Sequence, residues 1–199
     1  MGTVFSDLGV SADGFAAGLN QREEAPFGDI DENWLHAWMF EAYEENRAEV
    51  DAIVDSGATI MGRNMFGPVR DEWDRDWRGW WGPNPPYHGP VYVLTHFPHE
   101  SIPMEGGTTF HFVTDGIHAA LELARAAAGD QDISIAGGAT TVNQFLAAGL
   151  LDELRLHITP CILGAGERIF DGVPAQMLER VSVRATSLVT HLTYRPVRS

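Results

Sequence analysis

Residues 132–146, which read DISIAGGATTVNQFL, place the tightest constraint on the fold of this chain. Short and β-branched apolar residues at 133–136 predict a buried strand, Gly137-Gly138 breaks it, and an apolar stripe from Thr140 predicts a helix. Glycines let a ligand approach the backbone, and the N–H groups at a helix start favour phosphate. The stretch therefore predicts either a phosphate-binding turn or a plain strand–helix turn without a ligand.

A second unit of the same kind begins at residues 58–61, which predict a short buried strand. Gly62 then opens a turn and a helix start, as the glycine pair does in the first unit. The second unit differs in carrying Arg63, whose guanidinium is able to hold a phosphate through two N–H groups. The alternative interpretation is an ion pair between Arg63 and one of the 28 acidic residues.

The order of the remaining elements predicts the fold class. Asp31 is predicted to cap a long helix that breaks near Asn46, and its aromatic stripe, which includes Trp38, is typical of a core-facing surface. Glu41 is assigned to the solvated face of that helix, although a carboxylate on the pocket side is able to donate a proton. Further strands are predicted at 3–10, 91–95, 108–113, 154–158, 181–187 and 189–197, and a further helix at 116–128. The chain is therefore predicted to be a single α/β domain over 1–199, a mostly parallel sheet with an antiparallel edge.

Composition excludes several classes of function. The formal net charge is −15, and all 13 basic side chains counted as Lys or Arg are arginines. The negative field disfavours nucleic acid and anionic membrane as partners, and the absence of lysine excludes Schiff-base chemistry and a Walker phosphate loop. The single cysteine, Cys161, is predicted to be a core residue and fits a reducing, cytoplasmic location. The first residues contain no basic segment followed by an apolar run, so no signal peptide is expected.

The segment 69–90 is unusual because four tryptophans alternate with arginines and acids. Interleaved tryptophan and arginine is typical of single-strand nucleic-acid stacking, but the acidity of the chain disfavours that interpretation. The segment is instead predicted to be a long loop whose tryptophans pack on the domain and wall a pocket. Three nearby histidines, His88, His96 and His99, have no further close ligands, so no metal site is predicted.

Several motifs occur in an order and spacing that resembles the dihydrofolate reductase superfamily. The resemblance is closer to its branch that contains the reductase domain of the riboflavin-biosynthesis deaminase–reductase, and it spans nearly the whole chain. The motifs are Ser11-x-Asp13-Gly14, Met61-Gly62-Arg63, Val93-Leu94-Thr95, Ile135-x-Gly137-Gly138, Leu151-Asp152-Glu153-Leu154, and Pro160-x-x-Leu163-Gly164-x-Gly166 followed by Phe170.

The resemblance implies a three-layer fold with helices on both faces of an eight-stranded sheet, parallel but for its C-terminal strand. It also implies NADPH lying across the strand ends. In this sequence the expected cofactor-binding residues are Gly62, Arg63, Asn64, Thr95, His96, Gly137, Gly138, Ala139, Thr140 and Thr141. Arg63 is expected at the 2′-phosphate of NADPH, and residues 137–141 at the pyrophosphate. Residues 11–16 match a mobile loop beside the nicotinamide.

The expected chemistry is hydride transfer from NADPH to an electron-poor C=N or C=O of a pyrimidine- or pterin-like heterocycle. The candidate catalytic residues are Glu41 and Asp13, and the candidate substrate residues are Ser11 and Trp38. Position 65 is Met where dihydrofolate reductases usually have a hydroxyl residue, and the first helix lacks their pterin-binding carboxylate in its usual setting. True dihydrofolate reductase and a non-catalytic NADPH-binding protein remain the alternatives.

A homodimer is also predicted. The C-terminal hairpin and the apolar strand at 150–158 are expected to leave an exposed sheet edge, and such edges are commonly covered by a second copy.

Overall fold

The computed structural model describes residues 2–68 and 71–197. The strands are β1 (Val4–Ser11), β2 (Ala58–Gly62), β3 (Pro90–Leu94), β4 (Ile102–Pro103), β5 (Thr109–Val113), β6 (Ile133–Gly137), β7 (Glu153–Thr159), β8 (Leu178–Ala185) and β9 (Thr190–Pro196). The α-helices are α1 (Asn33–Phe40), α2 (Tyr43–Ile53), α3 (Arg63–Phe66), α4 (Gly116–Ala128) and α5 (Ala139–Ala147).

Within these residues the strands form one nine-stranded sheet in the order β4-β5-β3-β2-β6-β1-β7-β9-β8. The six strands from β5 to β7 in this order are parallel, while β9 pairs antiparallel with both β7 and β8. The predicted α/β class, with a mostly parallel sheet and an antiparallel C-terminal edge, is confirmed. The sheet has one strand more than the resemblance implied, because the two residues of β4 pair antiparallel with β5.

Side-chain alternation along β1 divides the core between the two faces of the sheet. Val4, Leu8 and Val10 belong to the core cluster that includes the buried residues of α4 and α5. On the opposite face, a Cβ atom added at Gly9 would lie 3.4 Å from the backbone oxygen of Leu35 in α1. Helices therefore cover both faces, as expected, with α1 and α2 opposite α4 and α5.

The first helical region ends earlier than its periodicity predicts. Helix α1 stops at Phe40 and α2 starts at Tyr43, so the break falls at Glu41 and Ala42 rather than near Asn46. The buried amide of Asn46 explains the difference, because its Nδ2 donates to the oxygens of Trp38 at 3.2 Å and Ala42 at 2.8 Å. The Trp38 carbonyl at the end of α1 is thus satisfied by this side chain, while the Ala42 carbonyl also accepts the first backbone hydrogen bond of α2, from the Asn46 amide at 3.2 Å.

The exposed sheet edge lies in the C-terminal hairpin, one of the two elements expected to leave it. This edge is β8, along which every residue after Leu178 is exposed, including Val181 and Val183. The other element, the strand at 150–158, corresponds to β7, which is paired on both sides by β1 and β9.

The described helices are too short to span a membrane. The longest of the described helices, α4, has 13 residues. A span needs about 20 residues, and among the described residues no helix is long and apolar enough to cross a membrane.

Candidate functional site

The two glycine turns meet at one edge of the sheet. Strands β2 and β6 are parallel neighbours, so Gly62 and Gly137 end adjacent strands. A Cβ atom added at Gly62 would lie 2.4 Å from Thr141 Oγ1 and 3.6 Å from the backbone oxygen of Gly137. The two turns therefore pack together beside the strand-end cleft, the place at the carboxyl ends of the strands where open α/β sheets bind ligands.

The start of α5 provides the anion-binding geometry of this cleft. Gly137 has φ 118°, the Gly137–Gly138 peptide is cis, and Gly138 precedes the first helical residue, Ala139. A Cβ atom added at Gly138 would meet no atom of the described residues within 4 Å. Open space thus lies beside the backbone where the positive end of the helix favours phosphate.

Arg63 and Thr95 are brought together because they follow the neighbouring strands β2 and β3. Arg63 is 9% exposed, and its Nη1 donates to Thr95 Oγ1 at 2.8 Å. Its Nη2 donates to the backbone oxygen of Asp71 at 3.1 Å. The guanidinium carbon lies 3.2 Å from the ring centroid of Trp73, so the indole covers one face of the cation. Cation–π stacking and hydrogen bonds thus fix the planar guanidinium beside the cleft.

The tryptophan-rich segment packs on the domain as predicted. The ring nitrogens of Trp73 and Trp77 donate to the backbone oxygens of Phe97 at 3.1 Å and Phe66 at 2.9 Å. Val69 and Arg70, where the predicted loop begins, lie outside the described residues. The stacking of Trp73 on Arg63 makes this segment a wall beside the predicted cofactor residues.

The remaining predicted cofactor residues surround the same strand ends. Asn64 and His96 are exposed, and each directly follows a residue of the Arg63–Thr95 pair. Thr141 is buried, while Thr140 is exposed and its Oγ1 donates to Glu167 Oε2 at 3.4 Å.

Ser11 and Asp13 hold the loop that follows β1. Ser11 Oγ donates to Asp13 Oδ1 at 2.6 Å, and the amides of Leu163 and Gly164 donate to the same carboxylate at 3.1 Å and 2.7 Å. The hydrogen bond from Ser11, together with those two amides, lowers the pKa of Asp13 to about 2. Asp13 is therefore an ionised anchor between two loops, a geometry that supports positioning rather than proton donation.

A cavity of about 450 Å³ lies between α1 and the end of β7. The two tryptophans of α1 contribute differently, since Trp34 is 52% exposed and the candidate substrate residue Trp38 is 1% exposed. Thr159 and Cys161 form the opposite wall, with 3.3 Å between Thr159 Oγ1 and Cys161 Sγ. Cys161, predicted to be a core residue, is thus only half-buried and lines the cavity.

The structure does not place Glu41 with the other candidate residues. It is exposed, at the C-terminal end of α1, whereas the residues of α1 that line the cavity are Asn33, Trp34, Ala37 and Trp38. The sequence alone missed the wall from Thr159 to Ile162. The signal for this wall in the sequence was Pro160, which ends the alternating strand and turns the chain.

The family model for the RibD C-terminal domain matches residues 2–192. The chain belongs to this family. A Bacillus subtilis (strain 168) relative, the uncharacterized protein YyaP, is 40% identical over 58 residues, which cover 29% of this chain and 31% of YyaP. The match therefore spans about a third of the length of that relative.

Solved structures show the same fold for this RibD C-terminal domain. A riboflavin biosynthesis protein from Shewanella sp. PV-4, assigned that function only provisionally, is 23% identical, with 98% of this chain and 99% of that chain covered and a TM-score of 0.62. Dihydrofolate reductase from Enterococcus faecalis, in complex with NADP(H) and RAB-propyl, is 12% identical, with coverage of 98% and 96% and a TM-score of 0.58. This chain thus has the dihydrofolate-reductase-like fold.

Proposed function

We propose that this RibD C-terminal domain is a cytoplasmic NADPH-dependent reductase that acts on a pyrimidine- or pterin-like heterocycle. The observation that carries the proposal is the meeting of both glycine turns and the Arg63–Thr95 pair at adjacent strand ends. Local N–H donors and a guanidinium offset the repulsion that a chain of net charge −15 exerts on an anionic dinucleotide.

The residues present fit NADPH. The space beside Gly138 admits a pyrophosphate against the start of α5, and Arg63 offers a fixed cation for the 2′-phosphate. Bound NADPH supplies the hydride. The chain itself contributes orientation, through the loop that Asp13 anchors, and exclusion of water by the aromatic wall of Trp34 and Trp38.

The cavity between α1 and β7 is the proposed place for the heterocycle. Trp34 exposes half of its indole there, and a flat aromatic ring stacks well on such a surface. The hydroxyl of Thr159 donates to the backbone oxygen of Val10 at 3.3 Å, so it can orient the ring only as an acceptor.

Titration of the full chain with NADPH tests the proposal directly. We expect saturable binding at micromolar concentrations, followed by loss of the NADPH absorbance when an aminouracil-type substrate is added. Dihydrofolate, assayed in parallel, separates this activity from that of true dihydrofolate reductase. Failure to bind NADPH at all would remove the proposal.

A non-catalytic binding protein is the second candidate, and the placement of the two carboxylates favours it. Glu41 lies away from the cavity, and Asp13 is committed as an ionised anchor. In that case NADPH would bind and no heterocycle would be reduced, so the same titration and assay separate the two candidates.

We also propose a homodimer formed along β8. Val181 is 46% exposed and Val183 is 55% exposed on this strand, beside which no further strand pairs among residues 2–68 and 71–197, and a second copy would extend and cover it. Light scattering should give twice the 21.9 kDa chain mass. Val183→Asp should shift the mass towards the monomer, and a monomeric mass for the unaltered protein would contradict the assignment.

A further inference from the structure

Four polar side chains are buried together away from the strand-end cleft. They are Asp7, Asn46, His157 and His191, contributed by β1, α2, β7 and β9. His157 Nε2 lies 3.1 Å from Asp7 Oδ1, and the Nδ1 atoms of the two histidines lie 2.8 Å apart. His191 Nε2 lies 2.8 Å from Asn46 Oδ1, so the cluster is one continuous chain of hydrogen bonds.

The hydrogen-bond partners of Asn46 fix the first proton of this chain. Asn46 Nδ2 faces the backbone oxygens of Trp38 and Ala42, which only accept hydrogen bonds. The side-chain oxygen of Asn46 must therefore face His191, and His191 Nε2 must carry a hydrogen. Burial is the largest cause that lowers the pKa of His191, to about 4, so this ring is neutral near pH 7.

The hydrogens on His191 determine which ring nitrogens of His157 carry hydrogens. A neutral imidazole has one N–H, and His191 uses it towards Asn46, so His191 Nδ1 is an acceptor and His157 Nδ1 must donate to it. A neutral His157 would leave a bare Nε2 facing an oxygen of Asp7, and two lone pairs at that distance repel. The contact needs one additional proton. Arg155 Nη1 lies 3.3 Å from Asp7 Oδ2 and favours the carboxylate, which leaves the proton on His157.

We propose that Asp7, Asn46, His157 and His191 form a buried proton-binding site that holds one extra proton on His157 near neutral pH. This inference is independent of the proposed function, because it uses neither the cofactor nor the cleft.

The surrounding charges are consistent with this state. Arg155 on β7 faces Asp7, while Glu49 of α2 and Arg184 of β8 pair with each other at 2.7 Å. From α1, His36 lies over Gly9, the residue that pairs with His157 in the sheet, and burial lowers the pKa of His36. A cavity of about 240 Å³ borders the cluster and reaches the exposed Arg184, which gives the proton a path to solvent.

The site also bears on the position of Trp38. The indole centroid lies 4.7 Å from that of His157 and 5.1 Å from that of His191. A cation under an aromatic face is attracted to it. The bound proton therefore helps to hold Trp38, which walls the cavity beside α1.

Proton linkage gives the sign of the expected effect. In the unfolded chain a histidine loses its proton near pH 6.5, so above that value the native state holds one proton more. The stabilisation that the extra proton contributes is complete below that pH and is lost as pH rises above it. Above about pH 7, for as long as the native state keeps the extra proton, the unfolding equilibrium constant of the unaltered protein should rise roughly tenfold per pH unit more than that of a variant without it.

Asp7→Asn provides that variant. Its amide N–H₂ donates to a neutral His157, and its oxygen faces Arg155, so every hydrogen bond is kept without the extra proton. Denaturant unfolding across the pH range should show the slope in the unaltered protein and in the control Asp171→Asn, an exposed position, but not in Asp7→Asn. Equal slopes in all three proteins would overturn the proposal.

Histidine side-chain ¹⁵N NMR of the unaltered full chain decides the question even if Asp7→Asn fails to fold. At about pH 7, the signals of His157 should show hydrogens on both ring nitrogens, and those of His191 only on Nε2. His157→Gln and His191→Gln assign the signals. A His157 ring with a single hydrogen would overturn the proposal.

Discussion

Gly138→Ala is expected to remove most of the affinity for NADPH while leaving the fold intact. The added methyl group enters open space, and φ −67° and ψ −167° at this position are accessible to alanine. The free energy of unfolding should therefore change by less than about 0.5 kcal/mol. In the proposed complex, that space belongs to the pyrophosphate. Losing even one hydrogen bond from the backbone to a charged oxygen costs about 1.5–3 kcal/mol, so affinity should fall on the order of a hundredfold.

Gly89→Ala is the matched control for this substitution. A Cβ atom there would lie 3.7 Å from the backbone oxygens of Gly57 and Tyr87, which is an ordinary contact. Gly89 precedes β3, so it lies at the amino-terminal ends of the parallel strands, opposite the strand-end cleft. Isothermal titration calorimetry of both variants, with thermal unfolding of each, gives the comparison. If Gly138→Ala binds NADPH as tightly as the unaltered protein, the start of α5 does not hold the pyrophosphate.

The parts of the cleft that were predictable from the sequence are those that local rules determine. A strand, a glycine break and a helix start are each encoded within a few residues, as in 132–146. The carboxyl ends of parallel strands share one edge, so Gly62 and Gly137 had to lie on the same side once the sheet was recognised as parallel. Arg63 and Thr95 meet for the same reason, since they follow neighbouring strands.

The parts that were not predictable depend on contacts between distant residues. The bond between Asp7 and His157 joins positions 150 residues apart, and the alternation of β7 places His157 on the polar register with Arg155, with no sign that it is buried or what it meets. The end of α1 is equally non-local in origin, because the buried Asn46 satisfies both the end of that helix and His191. Helical periodicity gave Glu41 a face but did not show that α1 ends beside it.

Arg63→Gln is expected to change the preference between the two nicotinamide dinucleotides. The guanidinium is held rigidly by Thr95 and Trp73, so it is already positioned to meet the 2′-phosphate that NADPH carries and NADH lacks. Removing a charge-assisted pair of hydrogen bonds costs about 2–3 kcal/mol, which corresponds to roughly a 30- to 150-fold loss of NADPH affinity. Affinity for NADH should change by less than about threefold, because NADH makes no such contact.

The ratio of the two affinities separates this role from a loss of stability. Arg63 is buried, so its substitution also disturbs Trp73, but a destabilised protein would bind both dinucleotides less well. Arg78→Gln is the control, because Arg78 lies in the same tryptophan-rich segment and is exposed beside Asp76. In competition titrations at fixed ionic strength, the ratio of NADPH affinity to NADH affinity should be unchanged in Arg78→Gln and lower in Arg63→Gln. An unchanged ratio in Arg63→Gln would show that this arginine maintains the wall of the cleft without reading the phosphate.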